Sequence, residues 1–123
     1  MKKLLLSCVT VLLGLMVFRY LCKPIKRNVV VTKFKPNAEY IDTIYNTHGF
    51  LFGNFHYVRI HGYVNDTIWY RLRGDFNKRY LIHDVNITFS EGEHYNRKYG
   101  ILQLNHYKAT KGHLEIEHVI STF

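Results

Sequence analysis

The chain holds eight histidines in 123 residues, and these are the first groups to weigh for chemistry. They are His48, His56, His61, His83, His94, His106, His113 and His118. A zinc site needs three or four converging ligands, commonly His-x-x-x-His on a helix or paired cysteines. Neither spacing occurs here. The nearest approach is His113-x-Glu115-x-Glu117. Alternate residues of a strand share a face, so these three could offer zinc or manganese one nitrogen and two carboxylates. A solvated strand face produces the same alternation with no ligand role. His106 and His118 stand among Leu102, Leu104, Leu114, Ile116 and Ile120. They read instead as histidines at the edge of a core, hydrogen-bonded to backbone.

Catalytic signatures are missing. Paired carboxylates for acid–base work must share a pocket. Asp66 and Asp75 fall in expected turns, Asp84 near a bend, and Glu91 and Glu93 in a polar loop. There is no nucleophile elbow, Walker loop or dinucleotide fingerprint, and residues 28–123 contain no cysteine. Ten tyrosines, eight phenylalanines and Trp69 exceed what so small a core can bury. Exposed aromatic rings beside arginine are the material of contact surfaces. The expected binding surface is therefore Tyr57, Tyr63, Trp69, Arg71, Arg73, Tyr95 and Arg97.

The net charge of +8 suggests nucleic acid until its distribution is examined. Six of the seventeen Lys and Arg lie in residues 1–27, which hold no acid; the other eleven face nine acids, a net of +2. The basic excess belongs to the flank of an apolar segment, where it suits anionic lipid. No nucleic-acid partner is expected.

That segment, residues 4–18 (LLLSCVTVLLGLMVF), follows Lys2 and Lys3. Read as helix through Cys22, it reaches about 28 Å, close to the roughly 30 Å of a hydrocarbon core. Arg19 can snorkel, and Tyr20 is the ring expected at head-group level. With Lys23, Lys26 and Arg27 they form the expected membrane interface. A cleaved signal peptide is the competitor, but Val17 to Leu21 offer no small-x-small cleavage site. Counting positive charge after the span places the domain in the cytoplasm. The basic N-terminus leading straight into the apolar run is the export pattern, and favours the extracytoplasmic side.

The elements that must carry these residues follow in order. Residues 1–22 are the anchor, 23–27 a basic tether with a helix-breaking Pro24, and 28–123 one small domain. A strand is expected over 28–34. Ile41, Ile44, Tyr45 and His48 share one helical face, which predicts a short helix over 37–49 with Asn37 as cap. Residues 50–74 read as a hairpin turning at Asn65-Asp66-Thr67, with Val64 opposite Ile68 and Ile60 opposite Leu72. Residues 79–89 form another strand, and 90–100 a surface loop. Strands over 101–107 and 113–120 form a last hairpin with Leu104 opposite Ile116.

The expected fold is mainly β: an N-terminal transmembrane helix, then a small antiparallel β-sandwich or partly open barrel with one short helix. The expected function is a single-pass, membrane-anchored binding or assembly module of the cell envelope. Its expected partners are membrane lipid and another envelope protein. The alternatives are a cytoplasm-facing regulator of a membrane complex and a small metal-dependent envelope enzyme.

Overall fold

The computed structural model describes residues 2–21, 23–47, 54–72, 75–94 and 99–122. Helix α1 (Lys2–Leu21) is apolar on every side and buries nothing against the sheet. Its twenty residues make about 30 Å, so it is long and apolar enough to cross a hydrocarbon core. The Thr10 hydroxyl, the polar intrusion at mid-helix, donates back to the carbonyls of Leu6 and Ser7 at 3.0 and 2.9 Å.

Six strands follow among the described residues: β1 (Ile25–Val31), β2 (Glu39–Tyr45), β3 (Asn54–Leu72), β4 (Arg79–His94), β5 (Tyr99–Asn105) and β6 (Gly112–Thr122). All pairings are antiparallel. β3 is the centre. Along one edge it pairs with β4; along the other it pairs first with β6, then with β5. β1 lies outside β6, and β2 outside β5. The result is one curled antiparallel sheet, a half-barrel with two arms that meet along β3 and β4.

β3 turns the corner between the arms at Asn65-Asp66-Thr67. Against β4, Val64 faces His83 and Ile68 faces Leu81, so these three residues stand against Ile82 alone. Such a bulge bends a strand and lets it pass from one layer to another. His83, opposite, takes φ 59°. The Asn65 side chain clamps the segment joining β5 to β6. Its Oδ1 accepts the N–H groups of Thr110 and Lys111 at 3.0 and 2.9 Å, and its Nδ2 donates to Thr110 Oγ1 at 3.0 Å. Just before the corner, Gly62 sits at φ 139°. A Cβ there would lie 1.9 Å from the His113 carbonyl oxygen, which excludes any side chain.

The core fills the inside of the curl: Val58, Ile60, Val64, Ile68, Tyr70 and Leu72 of β3, Leu102 and Leu104 of β5, Leu114 and Ile116 of β6, and Val85 of β4. Phe34 and Ala109 close one end.

Five expectations require correction, the first being the surface loop over 90–100, since β4 runs on to His94 and β5 starts at Tyr99. The short helix over 37–49 is absent among the described residues; β2 occupies its place and pairs with β5 from Glu39↔Asn105 to Tyr45↔Tyr99. The β-branched Ile41, Thr43 and Ile44 suit a strand, and only a strand aims Asp42 and Ile44 to the same buried side. The hairpin at 65–67 is a corner within one continuous strand, because each half of β3 finds other partners. β5 and β6 do not pair; each pairs with β3 instead, so Ile116 faces Ile60 and Leu104 faces Tyr70. Finally, β1 begins at Ile25, inside the segment read as a tether, and ends at Val31.

Two outcomes follow for stability, measured by denaturant unfolding of the detergent-solubilised chain. Leu104→Ala and Ile116→Ala each cost about 2–5 kcal/mol, whereas Glu115→Gln on the outer face stays within about 0.5 kcal/mol. Gly62→Ala is not accommodated, since its methyl meets backbone rather than a movable side chain, and the variant fails to accumulate folded.

Candidate functional site

Two constellations stand out, one buried and one exposed. The buried one starts from three buried polar residues, Asp42 of β2, His118 of β6 and His56 of β3, with the half-exposed Arg27 of β1 at its end. Arg27 Nη1 donates to Asp42 Oδ1 at 2.5 Å and lies 3.4 Å from the Thr43 carbonyl. Asp42 Oδ2 accepts His118 Nδ1 at 2.6 Å. The other nitrogen of that ring, Nε2, lies 2.6 Å from His56 Nε2. Asp42, His56 and His118 are all buried, His118 completely. The His56 ring lies against Gly100, where a Cβ would come within 2.4 Å of its Nε2.

The protonation of this chain follows from its geometry. Two imidazole nitrogens at hydrogen-bonding distance hold one proton between them; two N–H groups would oppose each other. Burial pushes the Asp42 carboxyl up, but hydrogen bonds and charge from His118 and Arg27 outweigh it and hold Asp42 below the usual carboxylate range. Burial pushes His118 down by more than its bond to Asp42 pulls it up. Neutral His118 therefore donates Nδ1–H to an ionised Asp42, whose charge is balanced by Arg27. The chain joins two of the edge strands, β1 and β2, across the opening of the half-barrel. With His56 and His118 shut away from solvent and Arg27 half exposed at its outer end, it forms a clasp between strands.

His106, the other core histidine, accepts the Lys35 backbone N–H on Nδ1 at 3.2 Å, as expected of a core-edge histidine. His118 departs from that expectation, since its partners are side chains from two other strands.

The candidate metal triad of His113, Glu115 and Glu117 separates. His113 Nε2 lies 3.3 Å from Glu115 Oε1, but Glu117 turns to the Tyr57 hydroxyl at 3.4 Å, Lys26 Nζ at 3.9 Å and Arg59 at 4.0 Å. Among the described residues no three His, Cys, Asp or Glu converge as metal ligands. Glu115 and Glu117 line an open depression of about 420 Å³ on the outer side of β1, β6 and β3, with Arg59 and His61.

The exposed constellation lies on the outer side of the far arm. Trp69 pairs across the sheet with Tyr80 on β4 and Asn105 on β5. Tyr80 meets Tyr107 edge to face, ring centroids 6.1 Å apart. Lys78 Nζ sits 4.5 Å over the Trp69 ring, the Arg71 guanidinium 5.9 Å from it, and Lys108 Nζ 5.4 Å over Tyr107. These are cation–π distances. Trp69 is nearly covered, while Tyr80 and Tyr107 keep 59% and 36% of their surface in solvent. Arg71 Nε also donates to Gln103 Oε1 at 2.5 Å, and Gln103 in turn to Glu39. Arg71 borders a second depression, about 360 Å³, with Ile41, Phe76 and Ile101. Phe76 is almost wholly exposed there.

No family model and no curated protein matches the chain. Among solved structures, the crystal structure of the CBM36-1 domain of a multidomain xylanase from the hindgut metagenome of Trinervitermes trinervoides aligns with it. The alignment covers 73% of this chain and 96% of that one, at 11% identity and a TM-score of 0.37.

Of the residues expected to form a binding surface, Tyr57, Tyr63, Trp69 and Arg71 all lie on the outer side of β3, because each is an odd-numbered neighbour of the buried even-numbered set. Trp69 and Arg71 join the aromatic constellation. Tyr57 and Tyr63 lie on the other arm, before the corner. Arg73, Tyr95 and Arg97 fall outside the described residues. Tyr80 was missed. The alternation of 79–89 already placed it opposite in sense to Leu81, hence outward, but nothing local showed that β4 would set it beside Trp69. Arg27 and Asp42 were missed as a pair for the same reason.

The clasp dictates a pH dependence. His118 titrates below its ordinary value of 6.5 in the folded chain, so on acidification the unfolded chain binds its proton first. Stability is full above that value and falls as pH drops below it; protonation of Asp42, itself depressed, removes more as pH falls below about 4. Denaturant midpoints across pH measure this, and a flat profile between about pH 7 and 5 contradicts it. Asp42→Ala strands the His118 N–H and costs on the order of 1–3 kcal/mol.

Proposed function

We propose that this chain is a single-pass, membrane-anchored binding module of a cell envelope, which engages another envelope protein through the face built on Trp69, Tyr80 and Tyr107. One observation carries the reading. Tyr80 and Tyr107 form an edge-to-face pair left in solvent beside a cation-capped Trp69. Large amphipathic rings with arginine or lysine alongside are the residues from which interface hot spots are made. Ile41 and Phe76 add exposed apolar surface next to them, around a ready depression. A scattered Tyr or Phe needs no explanation, but a joined group does.

The anchor part rests on α1, long and apolar enough to span, with Lys2 and Lys3 in its first turn and Arg19 in its last. The side assigned to the domain, extracytoplasmic, rests on that basic start leading into an apolar helix.

Capture from detergent-solubilised membranes, with the full-length chain as bait, tests the contact face. Tyr80→Ala with Tyr107→Ala reduces recovery of the bound envelope protein at least tenfold, consistent with hot-spot losses of about 2 kcal/mol, and leaves the unfolding midpoint nearly unchanged. Full recovery by that double variant moves the contact elsewhere. The anchor has its own check: the chain stays with membranes through alkaline carbonate and leaves only in detergent.

A further inference from the structure

We propose that the end of the sheet next to α1 is a lipid-contacting rim, with Lys23, Lys26, Tyr45 and Tyr99 resting on the head groups of an anionic bilayer. The inference builds on the reading of α1 as a membrane anchor and adds a second contact, made by the domain itself.

Chain length comes first. Only Cys22, Lys23 and Pro24 separate α1 from β1, so the α-carbons of Leu21 and Ile25 lie at most about 15 Å apart. The Lys23 N–H to Tyr20 carbonyl contact at 3.4 Å shortens the real span further. The interfacial zone outside the hydrocarbon is itself some 5–7 Å deep on each side. The start of β1 therefore cannot leave the membrane surface.

Register then shows what comes with it. Ile25 pairs with Ile120, and Ile120 with His56 on β3. The His56 ring packs on Gly100, and the next residue, Tyr99, pairs with Tyr45 of β2. These ends gather at one rim. Tyr45 and Tyr99 form a ring pair with centroids 6.1 Å apart, and Tyr45 is 61% exposed. On the outer side, Phe55 and Tyr57 form another ring pair at 6.0 Å.

The chemistry of this rim is that of a membrane interface. Tyrosine sits with its ring among head groups and its hydroxyl in water. Lysines just beyond a span are drawn to anionic lipid. Lys26, its side chain about half exposed, has Glu117 no nearer than 3.9 Å. Trp69 pairs with Asn105, six residues along β5 from Tyr99 and so about 20 Å from the rim, and serves as an internal reference for depth.

The test places the full-length chain in vesicles of phosphatidylcholine and phosphatidylglycerol with a head-group spin-labelled lipid as fluorescence quencher. The reporters are the native Trp69 and, in a Trp69→Phe background, Tyr45→Trp, with Lys26→Trp as a second rim reporter should the first not fold. Tyr20→Trp in that background marks the helix end. The expected result is quenching of the rim reporters comparable with Tyr20→Trp and several-fold stronger than that of Trp69. Replacing phosphatidylglycerol with phosphatidylcholine weakens quenching at the rim. Rim reporters quenched no more than Trp69, or insensitive to lipid charge, overturn the proposal while α1 remains an anchor. Release of the chain by alkaline carbonate overturns the anchor and the rim together.

Discussion

The fold depends on a strand that has to serve two layers. β3 runs nineteen residues and gives one of its edges to β6 and then to β5. A straight strand would lay both partners in one open, flat sheet with an unshielded apolar side. The three-for-one bulge at Asn65-Asp66-Thr67 bends β3 instead, and the inner sides of the two arms close on each other. Asn65 shows why the bend holds its place: its side chain is spent on the N–H groups of Thr110 and Lys111, tying the corner to the segment that carries the chain between the arms. Gly62 supplies the close approach to His113 that the tightening curl demands.

Among the described residues β1, β2 and β4 are edge strands, and the clasp settles how the first two meet. Burying Asp42 and two histidines contributes little stability compared with apolar residues of the same shape. What it contributes is selection. A slip of β2 by one residue would present Ile41 or Thr43 to His118, leaving its Nδ1–H buried without an acceptor and Arg27 without a carboxylate. Apolar contacts alone tolerate such slips far better, since Ile44 would simply find other carbon atoms. The Arg27 contact with the Thr43 carbonyl also occupies part of the open edge of β2, the kind of edge that otherwise recruits foreign strands.

The alternation of side chains was legible in the sequence, and the partners were not. Leu102, Leu104, Leu114, Ile116, Val58 and Ile60 were assigned to the core because a period of two holds whichever strand lies alongside. The same parity fits a β5–β6 hairpin and a sheet with β3 between them, so local pattern could not separate the two. β2 failed for a different reason. Ile41, Ile44 and Tyr45 mimic a helical face, while the true inner set, Tyr40, Asp42 and Ile44, contains a carboxylate that is acceptable there only because Arg27 and His118 arrive from other strands. The exposed site divides likewise: Trp69 and Arg71 announced themselves, whereas Tyr80 acquired its meaning from a cross-strand pairing that no neighbouring residue encodes.

The corner also relates the two ends of the molecule. β3 and β4 run side by side from the rim beside α1 to the arm that carries Trp69 and Tyr80, hydrogen-bonded to each other through most of that length. Between α1 and β1 there are only three residues, one of them Pro24. A long flexible tether would let the aromatic face sample many heights and directions. Here the backbone ladder replaces the tether. With α1 in a bilayer, the height of the Tyr80–Tyr107 pair above it is set by strand length, and its direction by the bend at residues 65–67. The same bulge that closes the core thus sets the direction of the Tyr80–Tyr107 pair.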